Sequence, residues 1–575
     1  MNKKRKIFIW LVSVIGIIGA IGICMFISAV NTGDETLPKI LYPPVAFLMI
    51  TFSVIIAIIN LNKKEPLTPE NETNRNVTLP GNVPDIFYCF IGRTKTLSQI
   101  HKEFRLENTD SSSRILVIHG LGGVGKSDIA KKYAIEYQKD YNRIRWIDAE
   151  TGEGIRYGYT KFAKEYGLDQ GVEKAEDIIK EVMKWMKNHD QWLFIFDNAN
   201  DKASIAEYLP ELNTGNILIT SRSSQWEEFE QIEIKGLDKS EACDFLKAYT
   251  KQDKDDSLEN LVEELGCFPL ALRHAGAYMK KTKTNSSDFL KEFRKNKPKK
   301  SPGYANRDTQ IVAETLETSI KLIREKASRQ LLYLCAFMAP KDIKRQWFAD
   351  VSEKLPDPLR KVVKEKSRYD DAIAELTACS LITLDREGNL GIQRVVQEII
   401  RDSLKRKQAN WRNNCVEILN KLRYTDFSTI EARTRFSTLV SHIISVTDKI
   451  NEKDESEETA NLYHFLGYGF YEYADYPQAL EYNLKAMAIR EKVLGKDHPS
   501  TGTTYNNIAG VYKAKGEYDR ALDWYLKAIP VLVKVLGFEH PNTNTGFSNM
   551  TTAYKKSGKP ESFEEWVNKK LRIEN

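Results

Sequence analysis

Eight consecutive residues, from Gly120 to Ser127, have the types and spacing that bind phosphate. They read GLGGVGKS and complete the glycine-rich pattern G-x-x-x-x-G-K-[ST]. The apolar run 114–118 before them is typical of a buried parallel strand, and residues 128–138 after them have helical spacing. Backbone N–H groups of such a loop and the N-terminus of the helix surround a phosphate group. The predicted nucleotide-binding residues here are Gly120, Gly122, Gly123, Val124, Gly125, Lys126, Ser127 and Asp128.

A metal ion is expected beside this loop. We expect Lys126 to reach the outer phosphates and the Ser127 hydroxyl to ligate Mg²⁺. Asp197 ends a hydrophobic strand in the Walker B position, where a carboxylate helps to hold the metal. A third apolar strand leads to Arg222, which is predicted to reach the terminal phosphate; a surface arginine is the alternative. Asp197 and Arg222 are the candidate catalytic residues, and Ser127 and Asp197 are the candidate metal ligands.

The elements that position these residues alternate between strands and helices, so we expect an α/β domain with a parallel sheet. The chain has 575 residues, which is room for about three to five domains. The net charge of +6, from 85 basic and 79 acidic residues, is too small to indicate nucleic acid as a partner. Seven scattered cysteines without a CxxC pair indicate reduced thiols in a cytosolic compartment, not a zinc or redox site.

Two uncharged apolar stretches near the N-terminus, residues 7–30 and 42–61, predict a transmembrane hairpin. A cleaved signal peptide is the alternative, but its apolar region would be only about 7–15 residues long. Basic residues flank the pair on both outer sides, whereas the connection between the stretches carries only Lys39. The positive-inside rule therefore places both ends in the cytoplasm. We expect a two-pass protein of the cell membrane, in contact with lipid, with most of the chain in the cytoplasm.

Further segments make the chain resemble a known family. They are FIGR at 90–93, WIDAE at 146–150, FDNAND at 196–201, ILITSR at 217–222 and GCFPLAL at 266–272. With the phosphate loop, they make residues 86–400 similar to the NB-ARC family of STAND nucleotide switches. The resemblance implies ADP and ATP as ligands, a base site near Arg93 and Pro269, and a phosphate-sensing role for Arg222. The residues themselves do not distinguish ATP from other nucleotides.

The resemblance also implies a helical domain and a winged-helix domain, the latter carried by LLYLCAFMAP at 331–340 and LTACSLI at 376–382. Two positions depart from the family pattern. Asn198 stands where many members have an acid that orients the attacking water, and an amide does not accept a proton as a carboxylate does. Gln393 stands where a histidine contacts the β-phosphate of ADP, so it is a candidate ligand that holds ADP more weakly. We therefore expect at most a slow ATPase.

A period of 42 residues is visible near the C-terminus. The segment LGKDHP at 494–499 recurs as LGFEHP at 536–541, and Tyr476 recurs as Tyr518. The pattern resembles tetratricopeptide repeats of the kinesin-light-chain type. Stacked repeats of this kind form an α-solenoid whose concave surface binds a partner. We therefore expect a protein trigger to bind the repeat surface.

These observations predict a multidomain chain and three possible functions. The expected segments are a transmembrane hairpin (1–62), a linker (63–85), a P-loop nucleotide-binding domain (86–235), a helical domain (236–305), a winged-helix domain (306–405), a helical connector (406–457) and tetratricopeptide repeats (458–575). The first function is a membrane-anchored STAND switch that forms a homo-oligomer when activated and acts on the membrane, by analogy with bacterial antiviral defence. The second is a tethered scaffold or transcription-linked regulator with the hairpin only as anchor. The third, an NTPase with steady turnover, is disfavoured by Asn198.

Overall fold

The computed structural model describes most of the chain after residue 80. The described residues are 81–84, 90–105, 114–169, 175–210, 215–252, 255, 257–296, 306–427 and 429–571. The two predicted membrane spans, 7–30 and 42–61, lie outside them. Within the part that is described, no helix is both long and apolar enough to cross a bilayer.

A parallel sheet of five strands forms the first part of the described chain. The strands are β1 (Arg114–His119), β2 (Arg143–Asp148), β3 (Trp192–Ala199), β4 (Asn216–Ser221) and β5 (Glu230–Glu233). They pair in the order β2-β3-β4-β1-β5, and every pairing is parallel. The sheet's central strands are near-continuous apolar runs because both of its faces are covered. All carboxyl ends meet at one edge, where Asp197 lies near the end of β3 and Arg222 directly follows β4.

Helices cover both faces of this sheet. They are α1 (Thr94–Arg105), α2 (Lys126–Glu136), α3 (Gly152–Tyr166) and α4 (Ala175–Asn188). Side chains of β3 alternate between the two cores: Leu193 and Ile195 pack in one, Phe194 and Phe196 in the other. Because side chains of a strand point alternately to its two faces, β3 anchors both layers. This fixes the position of Asp197 near the end of β3.

A helical region follows the sheet. Its helices are α5 (Lys239–Thr250), α6 (Leu258–Glu264), α7 (Pro269–Thr282), α8 (Ser286–Asn296) and α9 (Arg307–Ile320). Pro269 is the first residue of α7, where a missing N–H group does no harm. The apolar residues of α5, α7 and α9 join the core that lies on the α2 face of the sheet. The helical region is therefore packed directly onto the domain that carries the phosphate loop.

Short helices and a small antiparallel ladder come next. The elements are α10 (Lys326–Cys335), α11 (Arg345–Asp350), α12 (Leu359–Val362), α13 (Lys366–Ala378), β6 (Thr383–Leu384), β7 (Leu390–Gly391) and α14 (Arg394–Leu404). β6 pairs with β7, and Ile343 forms an antiparallel bridge with Leu390. The chain between α10 and α11 is thereby tied to the strand that leads into α14.

The remaining helices form an array in which helices that are consecutive in the chain pack against each other. They are α15 (Gln408–Leu422), α16 (Ile430–Thr447), α17 (Glu457–Glu472), α18 (Tyr476–Val493), α19 (Pro499–Ala514), α20 (Tyr518–Leu536), α21 (Pro541–Ser557) and α22 (Phe563–Leu571). The recurring His-Pro pairs begin α19 and α21: Nδ1 of His498 accepts from Ser500 N, and Nδ1 of His540 accepts from Asn542 N. The 42-residue period thus marks the start of equivalent helices, each with histidine as its N-cap.

Candidate functional site

The phosphate loop connects β1 to α2 in a conformation that requires glycine. Gly120 has φ 144° and Gly123 has φ 87°, values that other residues rarely adopt. A Cβ atom on Gly120 would lie 2.5 Å from the carbonyl oxygen of Ile234, and one on Gly123 would lie 2.7 Å from Leu270 Cδ2. The loop therefore packs closely between the residue that follows β5 and the first turn of α7.

Lys126 begins α2 and its ammonium lies over the loop. Its Nζ donates to the carbonyl oxygens of Gly120 at 2.7 Å and Leu121 at 2.9 Å. Burial and the nearby Arg222 guanidinium lower the pKa of Lys126 to about 8, and Asp197 opposes this shift. A poorly solvated cation at a loop of backbone N–H groups is suited to bind phosphate.

The two predicted metal ligands lie together. Ser127 Oγ donates to Asp197 Oδ1 at 2.6 Å, and Thr220 Oγ1 donates to the same oxygen at 2.8 Å. Asp197 is buried, and burial alone would raise the pKa of its carboxyl. The charge of Lys341 and the two hydroxyl groups nevertheless hold that pKa below its usual value. The carboxylate is thus kept ionised, as a metal ligand requires.

Lys341 and Asp148 complete this group of charges, and the sequence analysis identified neither. Lys341 Nζ lies 3.4 Å from Asp197 Oδ2 and 3.6 Å from Asp148 Oδ2. Asp148 pairs in register with Asp197 at the ends of β2 and β3, so strand-end reasoning on WIDAE would have found it. Lys341 has no such signal because it is brought in from between α10 and α11. The oxygen donors of Ser127 and Asp197 are of the kind that Mg²⁺ prefers.

Arg222 lies next to the loop and is paired with α14. Its Nη1 lies 2.9 Å from Glu398 Oε1. A Cβ atom on Gly122 would lie 3.3 Å from Arg222 Cζ and 2.6 Å from Cγ2 of Val395. The N-terminal turn of α14 therefore contacts the phosphate loop, and the predicted phosphate sensor is held by that helix.

Arg93 also contacts the phosphate loop. Its guanidinium donates to carbonyl oxygens of Lys235 at 2.6 Å, Val124 at 3.3 Å and Gly236 at 3.3 Å. Burial lowers the pKa of Arg93 although Glu241 opposes this shift. Arg93 therefore connects the entry segment, the phosphate loop and the chain after β5. Its predicted contact with the nucleotide base stays a prediction.

Gln393 is the N-cap of α14, and the helix is fixed by a different glutamine. Gln397 Nε2 donates to the carbonyl oxygens of Cys335 at 2.9 Å and Met338 at 2.8 Å. Gln393 itself lines the cavity beside the loop, as the predicted phosphate contact requires. Asn198 also lines this cavity, with φ 67° and its backbone N donating to Thr220 Oγ1 at 2.8 Å. Asparagine tolerates this left-handed conformation better than most residues.

A cavity of about 1610 Å³ brings the predicted residues together. It exceeds the usual range of about 300–1,000 Å³ for ligand pockets. It is lined by residues of the phosphate loop, of the helical region and of residues 340–395. The predicted residues among them are Arg93, Gly122, Gly123, Val124, Gly125, Lys126, Ser127, Asp128, Asp197, Arg222, Pro269 and Gln393. Gly120 is not among the lining residues and contributes the carbonyl that accepts from Lys126.

Comparisons with known domains agree with this geometry. Residues 93–256 match the NB-ARC domain, and residues 458–532 match the tetratricopeptide repeat. Residues 320–409 match a domain of unknown function, DUF7779. The chain therefore carries a P-loop nucleotide-binding domain of the NB-ARC type, with tetratricopeptide repeats in its C-terminal part.

A curated relative and solved structures from other organisms are also similar to this chain. A nucleotide-binding leucine-rich repeat (NLR)-like protein of Hyaloscypha variabilis is 23% identical over 461 residues, which is 72% of this chain and 45% of that protein. The chain thus spans less than half the length of this curated relative. A Signal Transduction ATPase with Numerous Domains (STAND) protein with a tetratricopeptide repeat sensor, from Pyrococcus horikoshii, has a TM-score of 0.40 and 13% identity, with coverage of 86% of this chain and 84% of that one. Domain III of the Thermotoga maritima replication initiation protein DnaA has a TM-score of 0.24 and 14% identity. That match covers 36% of this chain and 95% of the DnaA domain.

Proposed function

We propose that this chain is an ADP/ATP-binding signal-transduction switch of the STAND type. The observation that supports this most is the composition of the cavity beside the phosphate loop. Its lining comes from the NB-ARC domain, from α7 and from residues 340–395. A nucleotide bound there touches all three regions, so its identity alters the balance between their arrangements. A ligand shifts such an equilibrium only through different affinities for the two states.

The elements from α10 to α14 serve as the winged helix that reads the nucleotide. Four helices, α10 to α13, precede the two-stranded ladder, and α14 follows the ladder and contacts the phosphate loop through Val395. Moving such a switch from mostly off to mostly on requires about 5.5 kcal/mol of differential binding. Contacts of the terminal phosphate and interfaces of a homo-oligomer supply this energy.

The repeats act as the sensor of a protein trigger. Asp475 Oδ2, just before α18, lies 3.6 Å from Arg156 Nε, and Tyr482 OH donates to Glu153 Oε1 at 3.4 Å. Arg156 and Glu153 belong to α3, which follows β2 and Asp148. A partner that binds the repeats therefore acts on the domain that holds the nucleotide.

The output is assigned to the membrane hairpin of residues 1–62. The uncharged stretches 7–30 and 42–61 and the flanking basic residues support a two-pass anchor in the cell membrane. Clustering of such hairpins in an activated oligomer would perturb the bilayer. A role in antiviral defence is proposed by analogy with bacterial STAND proteins.

Hydrolysis is at most slow in this proposal. Ser127 and Asp197 would hold Mg²⁺, and the ion would supply neutralisation of phosphate charge. Asn198 offers an amide where an acid would orient water, so the chain's own residues bind and hold the nucleotide more than they turn it over. Release of phosphate is then a reset and not a metabolic reaction.

The proposal is tested by the oligomeric state of the full chain in detergent. Light scattering after gel filtration gives the mass of wild type and of Lys126→Ala under two conditions. One sample contains ADP, and the other contains Mg²⁺ and a non-hydrolysable ATP analogue. We expect a shift to higher mass with the ATP analogue in wild type and none in the variant. A wild type that binds neither nucleotide would contradict the proposal, as would a mass shift that persists in Lys126→Ala.

A further inference from the structure

A lysine from outside the NB-ARC domain lies against a predicted metal ligand. Asp197 Oδ1 accepts from the hydroxyl groups of Ser127 at 2.6 Å and Thr220 at 2.8 Å. Its other oxygen, Oδ2, lies 3.4 Å from Lys341 Nζ. The ammonium also lies 3.6 Å from Asp148 Oδ2, so it stands between two carboxylates. This is the arrangement expected of a bound cation.

The backbone on both sides of Lys341 is fixed. Ala339 N donates to Nδ1 of the buried His442 at 3.1 Å. Ile343 and Leu390 exchange both backbone hydrogen bonds, at 3.1 and 2.8 Å. The carbonyl oxygen of Pro340 also accepts from Ile392 N at 2.8 Å. The ammonium is thus placed by a held segment and not by a freely moving surface chain.

A carboxylate from α14 makes the opposite contact at the predicted phosphate sensor. Glu398 Oε1 lies 2.9 Å from Nη1 of Arg222, and both side chains are partly exposed. Arg394, at the start of α14, pairs with Glu150 and lies 3.8 Å from Asp148 Oδ1. The cation of Lys341 therefore lies against the predicted metal ligand, and the anion of Glu398 lies against the predicted phosphate sensor. Both Lys341 and Glu398 belong to the part of the chain after residue 339.

We propose that the Lys341 ammonium replaces the charge of Mg²⁺ and that the Glu398 carboxylate replaces the charge of a terminal phosphate. The arrangement in which Lys341 contacts Asp197 and Glu398 contacts Arg222 therefore accepts a nucleoside diphosphate without metal. Lys341 is then a specificity-determining residue. The inference rests on the proposed function, because it assumes that the loop binds nucleotide. It follows from charge: an ammonium and a divalent cation a few ångströms apart repel each other strongly and compete for Asp197 Oδ2. Metal and Lys341 exclude each other at that oxygen.

The test measures how strongly Mg²⁺ affects binding of a fluorescent ADP analogue to the full chain in detergent. Affinity is measured with EDTA and with saturating Mg²⁺ for wild type, Lys341→Met and Lys344→Met. Lys344 is the matched control, since it is a nearby lysine that pairs with the exposed Glu387 and not with Asp197. We expect Mg²⁺ to change the wild-type and Lys344→Met affinities by no more than about twofold. In Lys341→Met we expect Mg²⁺ to tighten binding by at least about tenfold.

A second measurement counts the metal directly. Manganese bound to the ADP complex is measured by electron paramagnetic resonance, and we expect it in Lys341→Met but not in wild type. Thermal unfolding confirms that the variants are folded, which the partial exposure of Lys341 favours. Equal Mg²⁺ dependence in wild type and Lys341→Met, or manganese bound in both, would overturn the inference while nucleotide binding remains. A wild type that binds no nucleotide would overturn the proposed function instead.

Discussion

The two ends of the phosphate site are built in different ways. At the loop end, Lys126 donates to carbonyl groups five and six positions before it in the chain. At the metal end, Asp197 and Arg222 are held by residues 144 and 176 positions later, Lys341 and Glu398. The hydrogen bonds of Lys126 therefore stay within the NB-ARC domain, whereas the contacts of Asp197 and Arg222 include a later part of the chain. In the proposed switch, this difference would let one site both bind a nucleotide and report its identity.

The contacts at the metal end also differ from each other in strength. The Arg222–Glu398 pair is partly exposed, and such surface pairs contribute about 0–1 kcal/mol. Asp197 is buried, so loss of its partners leaves a poorly solvated carboxylate, which costs more. The contacts of Asp197 therefore contribute more to the stability of the metal end than the Arg222–Glu398 pair does.

Removing the ammonium at the loop end has the largest expected effect. Lys126→Ala should weaken ADP binding by about 4 kcal/mol, roughly a thousandfold, because a buried charged partner of the phosphates is lost. Calorimetric titration of the full chain measures this loss. Lys132→Ala is the control, since Lys132 pairs on the surface with Glu136. Near-normal ADP affinity in Lys126→Ala would contradict the proposal that Lys126 binds the phosphates.

Acid should weaken the support of the segment that carries Lys341. Burial lowers the pKa of His442 to about 4, and its Nδ1 accepts from Ala339 N. The unfolded chain takes up this proton near pH 6.5 and the folded chain only near pH 4, so stability falls as pH decreases through that window. The loss reaches about 3 kcal/mol below both pKa values.

The variant His442→Asn isolates this contribution, because asparagine offers an acceptor without titrating. Unfolding by denaturant is measured for both proteins between pH 7 and pH 4 (about the window of the histidine). We expect wild type to be the more stable protein at neutral pH and its advantage to shrink on acidification. An advantage that stays constant with pH would show that His442 does not support the segment in this way.

The smallest expected effect concerns the exposed pair at the sensor. Glu398→Gln should change the free energy of unfolding by less than about 1 kcal/mol, because both partners are partly exposed. Denaturant unfolding at neutral pH measures it, with the exposed Glu387→Gln as a matched control. A loss well above that of the control would mean that the Arg222 contact holds α14 as firmly as Lys341 holds Asp197.

Much of the loop end could be predicted from sequence, because its contacts are local. The pattern from Gly120 to Ser127 lies between a strand and a helix as expected, and Asp197 meets Ser127 at the sheet edge. The NB-ARC and repeat assignments are confirmed by the domain matches. Lys341 could not be found, since a lysine between two helices carries no pattern until the fold brings it to Asp197. The membrane hairpin stays a prediction, and its residues are outside the described part of the chain.

The coupling of nucleotide identity to the later segment is tested most directly by hydrogen exchange. The amides of Ala339 and Ile343 are bonded to His442 and Leu390, so they report the position of the chain around Lys341. Exchange rates of the full chain are measured in two samples. One contains ADP, and the other contains Mg²⁺ and a non-hydrolysable ATP analogue. We predict slow exchange at these amides with ADP and much faster exchange with the ATP analogue, while β1 and β4 stay protected in both. Equal protection at Ala339 and Ile343 with the two nucleotides would contradict the account.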